Sequence, residues 1–477
     1  MLLILKKAVR LPLEIWSAQT LAAIDFSRYW LKLALFSLLL SGVFSAVIVL
    51  ARTPGVAGWI QDPLFARKSL VLHVNLALVV WFYSFLAVLF RSMNPKANGL
   101  QSAVAIKLSI SGVLFMILSI FFKSSEPVLS NYIPVLDHPL FWGGLILFGC
   151  GLLLTFSSGI SVDSKDKSLF PSFFIGSARR TIRFAGFLVL VAFLTFIISA
   201  MMTPEYIHTG LYYERVMWGG GHILQFANVL GMLTVWLILL SRLTGKDIVG
   251  NRINKILIWM LVLPAAASPM LLLRGTDSQL YYAGFTVLMR WFIFPVVMAY
   301  LILGVRAIWQ SRKRILSKGP LLKNFLFNGW MVSALLTVTG FGIGAMIRSS
   351  NTLIPAHYHA SLGGVTVAYM VMVFLLMREY GYNMKGLKSY RMVRWQPLLF
   401  GFGQTIFVIG FAWAGMQGMG RKLFGQDQSI DSLEAWAGLS AMSLGGVMAM
   451  AGGILFVYII IKSYSNGNSQ LSANHKQ

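Results

Sequence analysis

The chain has 477 residues, of which 57% are hydrophobic and only 12% charged, with a mean hydropathy of +0.73. Those values exclude a soluble globular domain and indicate an integral membrane protein. The net charge of +25 would suit nucleic acid if it formed one face, but its division among alternate loops excludes that partner and points to the lipid bilayer.

Twelve apolar stretches are long enough to cross a bilayer, at roughly 30–50, 70–90, 103–122, 138–158, 182–202, 216–240, 254–273, 282–305, 326–347, 357–377, 396–417 and 438–461. The fold class is therefore an all-α membrane protein of twelve transmembrane helices. Residues 1–29 lack a small-residue cleavage site and read as an N-terminal interfacial segment. Residues 30–461 form one transmembrane domain, and 462–477 a flexible polar tail. The stretch before the first span and the loops after even-numbered spans up to the tenth hold 24 Lys and Arg, against 9 in the alternate loops. The basic side is expected to be cytoplasmic, with both termini inside. The single Cys150, in the fourth span, forms no internal disulfide, and no Cys-x-x-Cys-His run exists for covalent heme attachment.

Only seven histidines occur. His73 lies near the outer end of the second span, in LVLHVNLALVVWF, and His222 in the outer half of the sixth, in MWGGGHILQFANV. His357-Tyr358-His359 opens the tenth. The topology places all four at one depth, where burying an ionisable group is costly and scattered packing histidines would have no reason to gather. Two histidines two apart on a helix are rotated by about 200° and face opposite sides. They cannot bind one planar cofactor together, but each can bind its own, so two adjacent heme-sized sites would share the tenth span. Gly219, Gly220, Gly221, Gly363 and Gly364 would let a flat macrocycle approach the backbone, or else serve ordinary small-residue packing. His138, His208 and His475 read as solvent-facing. Arg421 and Lys422, after the eleventh span in GMQGMGRK, could pair with anionic propionates at the outer rim; Arg274 and Arg348 read as snorkelling cations.

Together these residues resemble the catalytic subunit I of the heme-copper oxidase superfamily, which includes cytochrome oxidases and nitric oxide reductases. The resemblance covers most of the chain. It rests on twelve spans, a histidine in the second, Gly221-His222 in the sixth, His357-Tyr358-His359 at the head of the tenth, and Gly418-Met419-Gly420-Arg421-Lys422 after the eleventh. It implies that His73 and His359 are the axial ligands of a low-spin heme, that His357 is the proximal ligand of a high-spin heme, and that His222 faces the open side of that heme as a ligand of a distal copper or non-heme iron. Arg421 and Lys422 would hold propionates. An electron-donor subunit of the cupredoxin or cytochrome c type would feed the hemes from outside, and the substrate would be a small gas, with NO favoured over O2.

The chain departs from that pattern at the distal metal. Members carry an adjacent His-His pair near the end of the seventh span, and here the stretch reads AAASPMLLLRGTDSQLYYAG. One imidazole is a poor metal site. Met270 could add a thioether and Asp277 a carboxylate, and Arg290, deep in the eighth span, could instead supply a fixed positive charge. Phe226 stands where oxygen reducers often have a tyrosine, and the eighth span has no lysine. Two other functions fit the chain: a heme-based NO or O2 sensor, or a paralogue without turnover; and a secondary transporter, for which twelve spans with inside termini is a common count and which would carry no heme.

Overall fold

The computed structural model describes residues 18–60, 62–93, 99–158, 176–382, 387–423, 430 and 432–474. Most of the N-terminal segment expected at the interface, and His475, lie outside the described residues. Twelve helices are long and apolar enough to cross a membrane: α1 (Asp25–Arg52), α2 (Pro63–Met93), α3 (Gly99–Phe121), α4 (Pro139–Ser157), α5 (Gly176–Met202), α6 (Thr209–Thr244), α7 (Asn251–Arg274), α8 (Gln279–Gln310), α9 (Phe325–Met346), α10 (Leu353–Glu379), α11 (Tyr390–Met416) and α12 (Leu433–Ser465). Each coincides with one expected span. In hydrocarbon every backbone N–H and C=O needs an internal partner, which a continuous helix provides. The last helix is assigned through Asn474.

Neighbouring helices pair in sequence, with α3 on α4, α5 on α6, α9 on α10 and α11 on α12 packed most extensively. Small residues bring the last pair together: a Cβ at Gly410 or Gly445 would lie 2.4 or 2.2 Å from a backbone nitrogen of the other helix. Burial then separates the bundle into inner and outer helices. The apolar windows of α2, α6 and α10 are 78%, 89% and 83% buried, and no other exceeds 56%. The three inner helices are the three that carry His73, His222 and the His357–His359 pair.

Two histidines expected to face solvent, His208, which is exposed, and His138, which is half-buried, also cap helices. Nδ1 of His138 accepts from the Leu140 N–H at 3.2 Å at the start of α4, and Nδ1 of His208 accepts from the Gly210 N–H at 3.2 Å at the start of α6. A helix leaves its first N–H groups without partners, and an acceptor side chain satisfies one of them. The chain is not purely helical. Between α3 and α4 a short antiparallel ribbon pairs β1 (Glu126–Val128) with β2 (Val135–Asp137). Its connecting loop is pinned to the bundle by Asn75, whose Nδ2 donates to the Pro134 carbonyl at 2.7 Å. Asn75 opens a π-helical turn, Asn75–Val80, two residues after His73, and a second π turn, Met289–Ile293, interrupts α8. Such turns are often found at functional sites.

Candidate heme and distal sites

The ring centres of His73 and His359 lie 6.5 Å apart with their planes 17° from parallel. Two metal–imidazole bonds of about 2.0–2.1 Å, plus roughly 1.1 Å from each nitrogen to its ring centre, add up to about 6.3 Å. The separation therefore suits one metal ion between the two rings. Both line a cavity of about 520 Å³, together with Ser41, Arg52, Gln404, Phe407 and Arg421, a volume within the range of cofactor pockets. The second face of the His73 ring position is fixed from α1. Its Nδ1–H donates to the Ser41 carbonyl at 3.1 Å, while the Ser41 hydroxyl donates to the His73 carbonyl at 3.1 Å. A carbonyl accepts only, so the proton sits on Nδ1 and the Nε2 lone pair is left for a ligand bond. On the other side, Gln404 Nε2 of α11 donates to the His359 carbonyl at 3.0 Å and the Phe407 ring lies 4.8 Å from the imidazole.

Two guanidinium groups close the rim of this cavity. Arg421 was legible in the sequence. Arg52, the last residue of α1, was not singled out, although it is among the few cations expected on that side of the membrane. It is 3% exposed, donates through an Nη to the Arg421 carbonyl, and lies 5.2 Å from the Phe411 ring centre. Arg421 in turn donates to Asn131 Oδ1 at 3.0 Å, and the Asn131 N–H donates to Glu214 at 2.8 Å. Lys422 is exposed beside them; partial burial and then the charge of Arg421 lower its pKa, and Glu214 opposes the shift. Arg421 faces the cavity, whereas Lys422 stands outside its lining.

His357, on the other face of α10, points to α9. Its Nδ1–H donates to the Gly340 carbonyl at 2.7 Å, again leaving Nε2 free, and a Cβ at Gly344 would lie 2.6 Å from Nδ1. The two imidazoles of the triplet therefore serve different neighbours: His359 faces α1, α2 and α11, and His357 faces α9. Among the described residues, no hydrogen bond or ring contact joins His222 to His357.

The description "Cytochrome C and Quinol oxidase polypeptide I" matches residues 25–449. The chain belongs to that family. It is 28% identical over 361 residues to an uncharacterized protein of Aquifex aeolicus (strain VF5), covering 75% of this chain and 86% of the relative. It is 25% identical over 502 residues to an uncharacterized protein of Rickettsia prowazekii (strain Madrid E), covering 92% and 96%. The cryo-EM structure of a heme-copper terminal oxidase dimer superposes with a TM-score of 0.71 over 94% of this chain and 84% of that one, at 14% identity, which is a likeness of fold.

A heme-copper oxidase fold implies hemes and a copper, and the residues fit the two differently. The His73–His359 pair, the cavity and its two rim cations fit a heme. Around His222 the fit to copper fails. Among the described residues no three His, Cys, Asp or Glu side chains come together. Met270 is 68% exposed and Asp277 lies in the exposed turn between α7 and α8, so neither joins His222, which is 2% exposed. Arg290 is exposed as well, while its neighbour Met289 faces the loop beside His222; consecutive helical residues point about 100° apart, so the expected positive charge at this pocket is not there. The glycines before His222 admit side chains rather than a macrocycle. A Cβ would collide with Phe285 at Gly219, Phe196 at Gly220 and Tyr132 at Gly221.

Proposed function

We propose that this chain is the heme-bearing subunit I of a membrane-bound respiratory oxidoreductase that reduces a small diatomic gas, NO in preference to O2. The single observation that carries the reading is the His73–His359 pair, two imidazoles facing each other across a cavity in a chain of the oxidase polypeptide I family. His73 and His359 would hold a low-spin heme, with Arg52 and Arg421 paired to its propionates, and His357 would hold a high-spin heme. Heme iron supplies one-electron chemistry and, where one axial position stays open, a place for a diatomic ligand.

The chain's own groups set the conditions. His73 and His359, which line one cavity from two helices, would hold a heme together, and a heme held by two imidazoles suits electron transfer rather than gas binding. His357, tied by Gly340, would hold the second heme through its other nitrogen alone, the arrangement that suits gas binding. The preference for NO follows from Phe226 and the absence of a lysine in α8, which remove groups suited to four-electron oxygen chemistry. Electrons would enter at the Arg52–Arg421 rim from a donor subunit of the cupredoxin or cytochrome c type, with the basic loops on the cytoplasmic side of the inner membrane.

Gas consumption by the purified chain with a reduced donor tests this reading. NO should disappear faster than O2, and both slowly, because the described residues around His222 do not make up a second metal site that would clamp and polarise the bound molecule. Heme with no consumption of either gas would instead favour a sensor or non-turnover paralogue, a reading that the incomplete metal position around His222 supports. The rim gives a second expectation. Arg52→Ala removes a buried cation beside the proposed propionates, so the low-spin midpoint potential should fall by on the order of 60 mV, a tenfold change for one electron. A potentiometric titration reads this directly, and an unchanged potential would remove Arg52 from the site.

A further inference from the structure

Both ring nitrogens of His222 are engaged. Nδ1–H donates to the Trp218 carbonyl one turn earlier, at 2.8 Å, which places the lone pair on Nε2. That lone pair is 2.8 Å from the hydroxyl of Tyr132, which donates to it. The imidazole is 2% exposed, and the Trp218 and Phe285 rings lie 4.6 and 5.5 Å from it. Neither His222 nor Tyr132 leaves a buried polar atom without a hydrogen bond.

Several features hold Tyr132 in this place. Its φ of 68° is the only positive value at a non-glycine residue among those described, a backbone state that a bulky residue keeps only where its surroundings impose it. The surroundings do so here. Asn131 is clamped to Glu214 through its N–H and its amide, and Asn75 grips the Pro134 carbonyl. Gly221 clears the way, since a Cβ there would lie 2.5 Å from the Tyr132 Cβ.

We infer that the position opposite His357 in this chain is metal-free, with a hydrogen-bonded Tyr132–His222 pair standing where the family keeps its copper. A metal site lacking its ion presents converging donor atoms without partners; here the one strong donor is masked by a phenol. The other soft donor nearby, Met289 Sδ, is 3.8 Å from the Tyr132 hydroxyl. One imidazole and one thioether fall short of the three or more protein ligands usual for such ions. Calling this position distal rests on the two-heme reading above; its metal content does not.

The test is metal analysis of the full-length purified protein, before and after challenge with Cu(I) and removal of loose metal with a mild chelator, with heme measured in the same sample. Wild-type protein should retain less than about a tenth of one copper, zinc or non-heme iron per chain. Near-stoichiometric metal that disappears in His222→Ala would overturn the inference. Tyr132→Phe keeps the ring and removes the hydroxyl, unmasking Nε2 beside Met289. With only those two donors it should retain several-fold more copper than wild type after the challenge while staying well below one per chain, and Tyr132→Phe with His222→Ala should lose it again. No gain in Tyr132→Phe would overturn the masking role, and a loss of metal would make Tyr132 a ligand. Absence of heme in the same samples would count against the proposed function and leave the metal result standing.

Discussion

Replacing His359 by alanine should abolish the low-spin heme spectrum and reduce heme content by about one per chain. Replacing His73 should do the same from the other side of the cavity. Each substitution leaves one imidazole where the 6.5 Å ring separation provides two, and an iron with a single axial nitrogen is no longer six-coordinate. The effect is large because His73 and His359 are the only histidines among the residues that line the cavity. Optical spectra of the reduced protein check both variants. A six-coordinate spectrum that survives in either one would remove that histidine from the iron.

The second large effect belongs to His357. His357→Ala should eliminate CO binding to the reduced protein while sparing most of the low-spin signal, since His359 lies on the opposite face of α10. A milder change should act on the same bond. Gly344→Ala puts a methyl 2.6 Å from His357 Nδ1 and disturbs its hydrogen bond to Gly340, so CO affinity should fall by about 10-fold, as for other groups that orient metal ligands. CO titration monitored optically reads both. If His359→Ala instead abolished CO binding and His357→Ala removed the low-spin spectrum, the two faces of the helix would be exchanged.

Much of this arrangement was legible in the sequence, for physical reasons. Hydrocarbon demands long apolar helices, so all twelve spans stand out by hydropathy alone. Histidines are rare in such segments, and four at one depth pointed to the three helices that turn out to be the most buried. The His357–His359 spacing carried the separation of faces directly, because helical geometry is fixed. Arg52, Asn131 and Tyr132 were missed. Their roles depend on where a loop folds, and no periodicity marks a loop. Tyr132 sits between α3 and α4, ninety residues from His222, and only the ribbon and its clamps bring them together. The glycines before His222 were ambiguous for a related reason. Sequence shows that a surface is open to close approach, not whether a cofactor or an aromatic ring fills it. Met270, Asp277 and Arg290 were candidates by chemistry alone, and helix rotation and the exposed turn between α7 and α8 set them apart from His222.

The central claim is that one helix carries ligands for two different hemes. It is tested most directly by a pyridine hemochrome assay on the purified chain, combined with reduced-minus-oxidised spectra with and without CO. The prediction is two hemes per chain, one six-coordinate and unaffected by CO, the other CO-reactive. A single heme per chain would contradict the sharing of α10 between two sites, and a colourless protein would contradict the assignment of this chain as a heme protein.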